Sequence, residues 1–157
     1  MVVIGFDKKH NINDIADFLQ NYNTVIYDKL TFSNLIKKAD LDKLSDIDLY
    51  EIETEMLSKN WLCCWGELAP FNLTHEHLHT RPERADILQR RIRLYNEDIS
   101  FWKTFVKDFV DRYNNIALFR YYSDVNIPVT VEEMSPTHLT QEKLLEMECN
   151  QIFLISK

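Results

Sequence analysis

From Leu88 to Tyr113 apolar side chains recur at alternating intervals of four and three: Leu88, Ile92, Tyr95, Ile99, Trp102, Val106, Phe109 and Tyr113. That is the period of one helical face. Ile87, Leu94, Phe101 and Phe105 widen the stripe. Thr80-Arg-Pro-Glu83 ahead of it has the form of a capping box with proline in the first turn, and Asn114-Asn115 behind it is a stop signal. The pattern predicts a helix over about 81–114, which at 1.5 Å per residue would span on the order of 50 Å. So long an element in so short a chain implies a kink or a projecting end. Rings at the repeat positions suit a globular core spine; the heptad spacing also allows a dimer seam, which would make the chain a structural subunit.

The flanks read as shorter elements. Val2–Phe6 is a β-branched first strand, and Asn11 or Asn13 caps a helix with Ile12, Ile15, Phe18, Leu19 and Tyr22 on one face. Thr24–Tyr27 is a second strand, and Thr31 caps a short helix carrying Phe32, Leu35, Ile36 and Ala39. The apolar positions of Asp40–Glu55 are compatible with helix, and Trp61–Trp65 either closes it, with Gly66 as the stop, or forms a separate buried strand; the four-residue recurrence of Leu57, Trp61 and Trp65 favours helix. Ile116–Tyr122 and Ile127–Met134 read as a hairpin turning at Asp124–Asn126. Thr140–Glu148 is a helix and Gln151–Ser156 a buried last strand. No linker or repeat divides residues 1–157. The order predicts one α+β domain: a small, mostly antiparallel sheet of about four to five strands packed on helices.

Composition narrows the chemistry. Gly5 and Gly66 are the only glycines among 157 residues. Phosphate-cradling loops and dinucleotide fingerprints need several within a few positions, so neither is present. Three cysteines, Cys63, Cys64 and Cys149, make no disulfide framework. With no basic, apolar leader at Met1 and no apolar run of membrane-spanning length, the expected setting is cytoplasmic, with no membrane association. The net charge is −7. Residues 1–60 carry 7 basic and 11 acidic side chains, residues 61–120 carry 9 and 8, and residues 121–157 carry 2 and 6. Acidic ends disfavour nucleic acid, which is gripped by basic surfaces, and favour a basic protein partner.

Three clusters carry possible chemistry. His75, His77 and His79 would converge on one metal ion if extended, the basis of a metal-dependent hydrolase; on a helix the same spacing splays them by about 200° per pair. They match no zinc-finger or zincin spacing, and a polar loop accounts for them equally. Cys63 and Cys64, set between Trp61 and Trp65, read as core thiols rather than nucleophiles. Arg81, Arg84, Arg90, Arg91 and Arg93 could grip phosphate or an acidic partner, or form a solvated face, or pair with the acidic segment within the fold. No cofactor is implied and no residue stands out as catalytic.

In general character the chain resembles the small bacterial immunity proteins that neutralise cognate toxins. The residues carrying this likeness are the acidic segment Asp40–Glu55 and the acidic tail after Tyr121. The resemblance implies a non-catalytic inhibitor, monomeric or weakly dimeric. It would bind a basic toxin one to one and mask its active cleft with Asp40, Asp42, Asp46, Asp48, Glu51 and Glu55.

Overall fold

The computed structural model describes residues 2–31, 41–54, 100–120, 129–147 and 150–157. Strand β1 (Val2–Asp7) leads through Asn11 into helix α1 (Ile12–Gln20), and β2 (Thr24–Leu30) follows. A 3-10 turn (Leu41–Leu44) precedes β3 (Ile47–Thr54). Residues 100–113 are helical (α2) and run into β4 (Asn115–Arg120). Strand β5 (Thr130–Met134), a 3-10 turn (Pro136–His138), helix α3 (Gln141–Glu146) and β6 (Gln151–Ser156) complete the order.

The strands form one six-stranded sheet in the order β2-β3-β1-β4-β6-β5. Every neighbouring pair is antiparallel except β5 and β6, which run parallel. The class is therefore α+β, with a sheet larger than the four to five strands expected. The helix predicted over 81–114 is seen at residues 100–113; residues 81–99 lie outside the described residues, as do the helix expected after Thr31 and the run Trp61–Trp65.

Side-chain alternation gives the sheet two buried faces. Ile4, Phe6, Ile52, Ile116, Leu118, Phe153 and Ile155 point to the face on which α1, α2 and α3 lie. Val3, Ile47, Leu49, Ala117, Phe119 and Ile152 line the other, joined by Leu44 and Val129. On the helical face Phe18 of α1 sits among Phe105, Phe109 and Tyr113 of α2, with ring centroids 5.4–6.2 Å apart. The α2 members of the heptad stripe, Trp102, Val106, Phe109 and Tyr113, are all at most 6% exposed. This half of the stripe is core, and residues 100–113 offer no exposed apolar seam for dimerisation.

Polar bonds fix the two helices further. Asn11 caps α1, its side chain accepting from the Asn13 N–H at 2.9 Å. The Tyr113 hydroxyl donates to the Asp14 carbonyl at 2.9 Å, and the Tyr22 hydroxyl donates to the Asp108 carboxylate at 2.5 Å. Burial, reinforced by that carboxylate, pushes the Tyr22 phenol up to about 12.

Two expectations fail for physical reasons. Residues 47–54 are strand, not helix. Besides its helical spacing, Ile47-Asp-Leu-Tyr-Glu-Ile52 has a period of two: Ile47 and Leu49 face one side, Tyr50 and Ile52 the other. Central pairing with β1 and β2 selects the second pattern. Just ahead of the strand the Ser45 hydroxyl donates to the Asp42 carbonyl at 3.1 Å. The hairpin of β4 and β5 is also absent, because β6 lies between them. Its continuous apolar run Ile152-Phe-Leu-Ile155 suits an interior strand covered on both faces, whereas Glu132-Glu133 suits β5 to the edge.

At Gly5 the strands leave no room for a side chain. A Cβ there would stand 2.6 Å from Leu49 Cδ2, 2.7 Å from Ile47 Cγ2 and 3.0 Å from Ala117 Cβ. Alanine in a strand normally gains about 0.5–1 kcal/mol over glycine. Here overpacking reverses the sign, and Gly5→Ala is expected to lose on the order of 1–2 kcal/mol in a urea unfolding series. An unchanged midpoint would contradict this. Tyr22→Phe is expected to cost about 1 kcal/mol near neutral pH. Because the folded phenol titrates above its unfolded value of about 10, its contribution is complete below pH ~10 and is lost as pH rises toward ~12. Thermal midpoints across pH 9–12 should therefore fall more steeply for the wild type than for Tyr22→Phe.

Candidate partner-binding surface

Strand β2 is an edge strand of the sheet, and the exposed apolar side chains concentrate on it. Val25 is 54% and Tyr27 73% exposed, against 39% for Ile12, the other large exposed hydrophobe among the described residues. The β2–β3 register explains what surrounds them. Val25 faces Glu53 and Ile26 faces Ile52, but the next pair is Asp28 with Glu51. Tyr27 is the extra residue of a β-bulge.

This one inserted residue changes the parity of everything after it. Without the bulge Asp28 would share the face of Ile26. With it, Asp28 comes to the face of Val25, Glu51 and Glu53, and Lys29 goes to the helical face opposite Tyr50. The consequences are visible on both sides. Lys29 bridges Asp48 and lies 5.7 Å from the Tyr50 ring centroid. The Asp48 carboxylate holds the Lys29 ammonium above its usual range, and burial pushes the Tyr50 phenol up. Leu30, again opposite Leu49, joins the second core face.

On the Val25 face the result is a stripe of carboxylates. Asp28 stands directly opposite Glu51, with Glu53 two positions along β3. Asp28 accepts a hydrogen bond from the Lys29 backbone N–H at 2.8 Å. Among the described residues no ion pair engages Asp28, Glu51 or Glu53. Elsewhere Asp7, Asp48, Asp111 and Glu132 each pair with a lysine. Like charges directly opposed across strands are destabilising by a few tenths of a kcal/mol to about 1 kcal/mol. The stripe is thus a local cost that no cation of the described residues neutralises.

Of the six acidic positions singled out in the sequence, four are described, and Asp48 and Glu51 among them lie on opposite faces of β3. Asp42 is exposed in the 3-10 turn, and Asp46 is exposed in the turn before β3, its carbonyl accepting from the Lys8 N–H at 2.9 Å. Asp48 is neutralised by Lys29 on the helical face, and Glu51 points to the opposite face. Asp40 and Glu55 lie outside the described residues, as do Cys63, Cys64, Cys149, the arginines from Arg81 to Arg93, and His75, His77 and His79. Among the described residues no cluster of three or more His, Cys, Asp or Glu could hold a metal ion, and no helix is long and apolar enough to cross a membrane. Sequence reading missed Asp28, Glu53, Val25 and Tyr27 as surface partners of Glu51. Reading residues 47–54 as strand would have put Glu51 and Glu53 on one face; the arrival of Asp28 beside them depends on the bulge.

The chain matches no protein-family model, no curated protein and no solved structure. Its role is therefore argued from this surface.

Because the opposed pair is repulsive, Asp28→Lys should stabilise the isolated protein by about 0.5 kcal/mol, on the order of 1–2 °C in Tm. Calorimetry at low ionic strength checks this, and the gain should shrink in 0.5 M salt as screening shortens the reach of charge. A loss of stability would show that Asp28 is serving the fold.

Proposed function

We propose that the chain is a non-catalytic protein-binding inhibitor, similar in character to bacterial immunity proteins. In this reading it holds a basic protein partner, a toxin with a nuclease-type cleft, in a one-to-one complex. The observation that carries the reading is the stripe Asp28, Glu51 and Glu53, with no ion-pair partner among the described residues, beside the exposed side chains of Val25 and Tyr27. Local conflicts of this sort are retained in proteins where function requires them. The two halves of the surface have separate physical roles. Unpaired carboxylates steer a positively charged partner and speed encounter. An aromatic ring and an aliphatic side chain at the strand edge supply the apolar contact that slows dissociation. Asp42 and Asp46, exposed and adjacent in sequence to β3, extend the negative field.

The test uses tagged full-length chain and its Glu51→Lys/Glu53→Lys variant, each exposed to lysate of cells that naturally make it. Wild type is expected to retain one basic protein in equimolar amount. In the purified pair, the association rate should fall about tenfold between 50 mM and 500 mM salt, and the variant should bind at least tenfold more weakly. Capture of the same protein by a folded variant with equal affinity would remove the stripe from the interface.

A further inference from the structure

We infer that the partner docks on this surface by strand addition: an extended segment with basic side chains at alternate positions pairs its backbone along the side of β2 away from β3, where no strand of the described residues lies. This deepens the protein-binding reading and rests on it. An edge strand presents backbone donors and acceptors on the side away from its neighbour, and a short extended segment satisfies them by continuing the sheet. The sheet has two edges, and they are unlike. On β5, Glu132 is held by Lys143 and by the Gln151 amide. On β2, Val25 and Tyr27 stand exposed and the adjacent carboxylates carry no ion pair among the described residues.

The chemistry of the added strand follows from which side chains share each face. One face at this edge carries Val25, Asp28, Glu51 and Glu53. A strand laid beside β2 turns every second side chain to that face, where lysine or arginine meets the carboxylates. Its intervening side chains fall on the face of Ile26 and Lys29, where small apolar residues fit against Ile26. A second copy of this chain does not meet that requirement. Antiparallel β2 against β2 would bring the Asp28–Glu51–Glu53 stripes of both copies onto the shared sheet surface, where like charges repel. The charge therefore selects a basic segment of a different protein.

The experiment titrates isotopically labelled full-length chain with an octapeptide alternating lysine with valine or threonine, followed through backbone amide signals. Two further versions of the peptide are N-methylated on alternate residues, one along each hydrogen-bonding edge. The expected result is shifts centred on residues 24–30, at least tenfold weaker binding for one methylated version and unchanged binding for the other. Asp28→Lys/Glu53→Lys should weaken the parent peptide about tenfold. If the peptide binds and both methylated versions bind equally well, strand addition is wrong while the acidic surface stands. Strand addition is equally wrong if no peptide binds yet capture of the natural partner still depends on Glu51 and Glu53. Should that capture fail to depend on them, the underlying protein-binding reading falls as well.

Discussion

The structure depends on an aromatic layer pressed between the helices and one face of the sheet. Phe6 of β1 stacks on Tyr50 of β3 with centroids 4.6 Å apart and contacts Phe109 of α2; Phe18 of α1 closes the group against Phe105, Phe109 and Tyr113. Burying each such ring contributes roughly 2 kcal/mol, and favourable ring pairs add about 0.5–1.5 kcal/mol. The layer joins residues far apart in sequence, tying α1 and α2 to each other and to the paired strands β1 and β3. The opposite face leaves little freedom at the sheet centre. Gly5 occurs where β1 passes between Leu49 and Ala117 with no room for a side chain.

Helices over a sheet need sharp reversals between the end of each helix and the next strand, and glycine is the usual means. This chain makes those reversals with asparagine. Asn23 before β2, Asn114 before β4 and Asn150 before β6 have φ of 49°, 73° and 59°. The left-handed region costs most residues about 1–2 kcal/mol, and asparagine tolerates it better because its short amide bonds locally. The same substitution lets a chain with two glycines turn sharply into β2, β4 and β6. Glycine scarcity excludes phosphate loops without excluding turns.

Elements with a local signature were legible. The Asn11 cap and the spacing Ile15, Phe18, Leu19 located α1, Thr140 located the start of α3, and the apolar run from Ile152 gave β6. Asn114 as a helix stop follows from its left-handed φ. What escaped was whatever pairing decides. Residues 47–54 carry both a helical and an alternating pattern, and only their position between β1 and β2 chooses. The order of β4, β6 and β5 was readable in principle from their polarity, yet chain proximity suggested a hairpin. The candidate surface was half legible: Glu51 was named for its charge, but taking the segment as helical merged it with Asp48, which points the other way and is neutralised.

The bulge at Tyr27 ties fold and surface together. Beyond it, hydrophobic burial demands that Leu30 meet Leu49 in the second core, and the Lys29–Asp48 bridge demands the opposite face for Lys29. Before it, Ile26 must join Ile52 over the helices. Leu30 and Ile26 lie an even number of residues apart, so an unbroken strand would put both on one face. The extra residue reconciles them by letting the strand change parity. Once the parity changes, Asp28 has no alternative but to oppose Glu51, and Tyr27, belonging to neither alternation, is left exposed. Core packing alone accounts for the position of the carboxylate pair. It does not account for its chemistry, since lysine or threonine opposite Glu51 would meet the same packing demands without repulsion. The identity of residue 28, rather than its place, is the feature that core packing leaves unexplained.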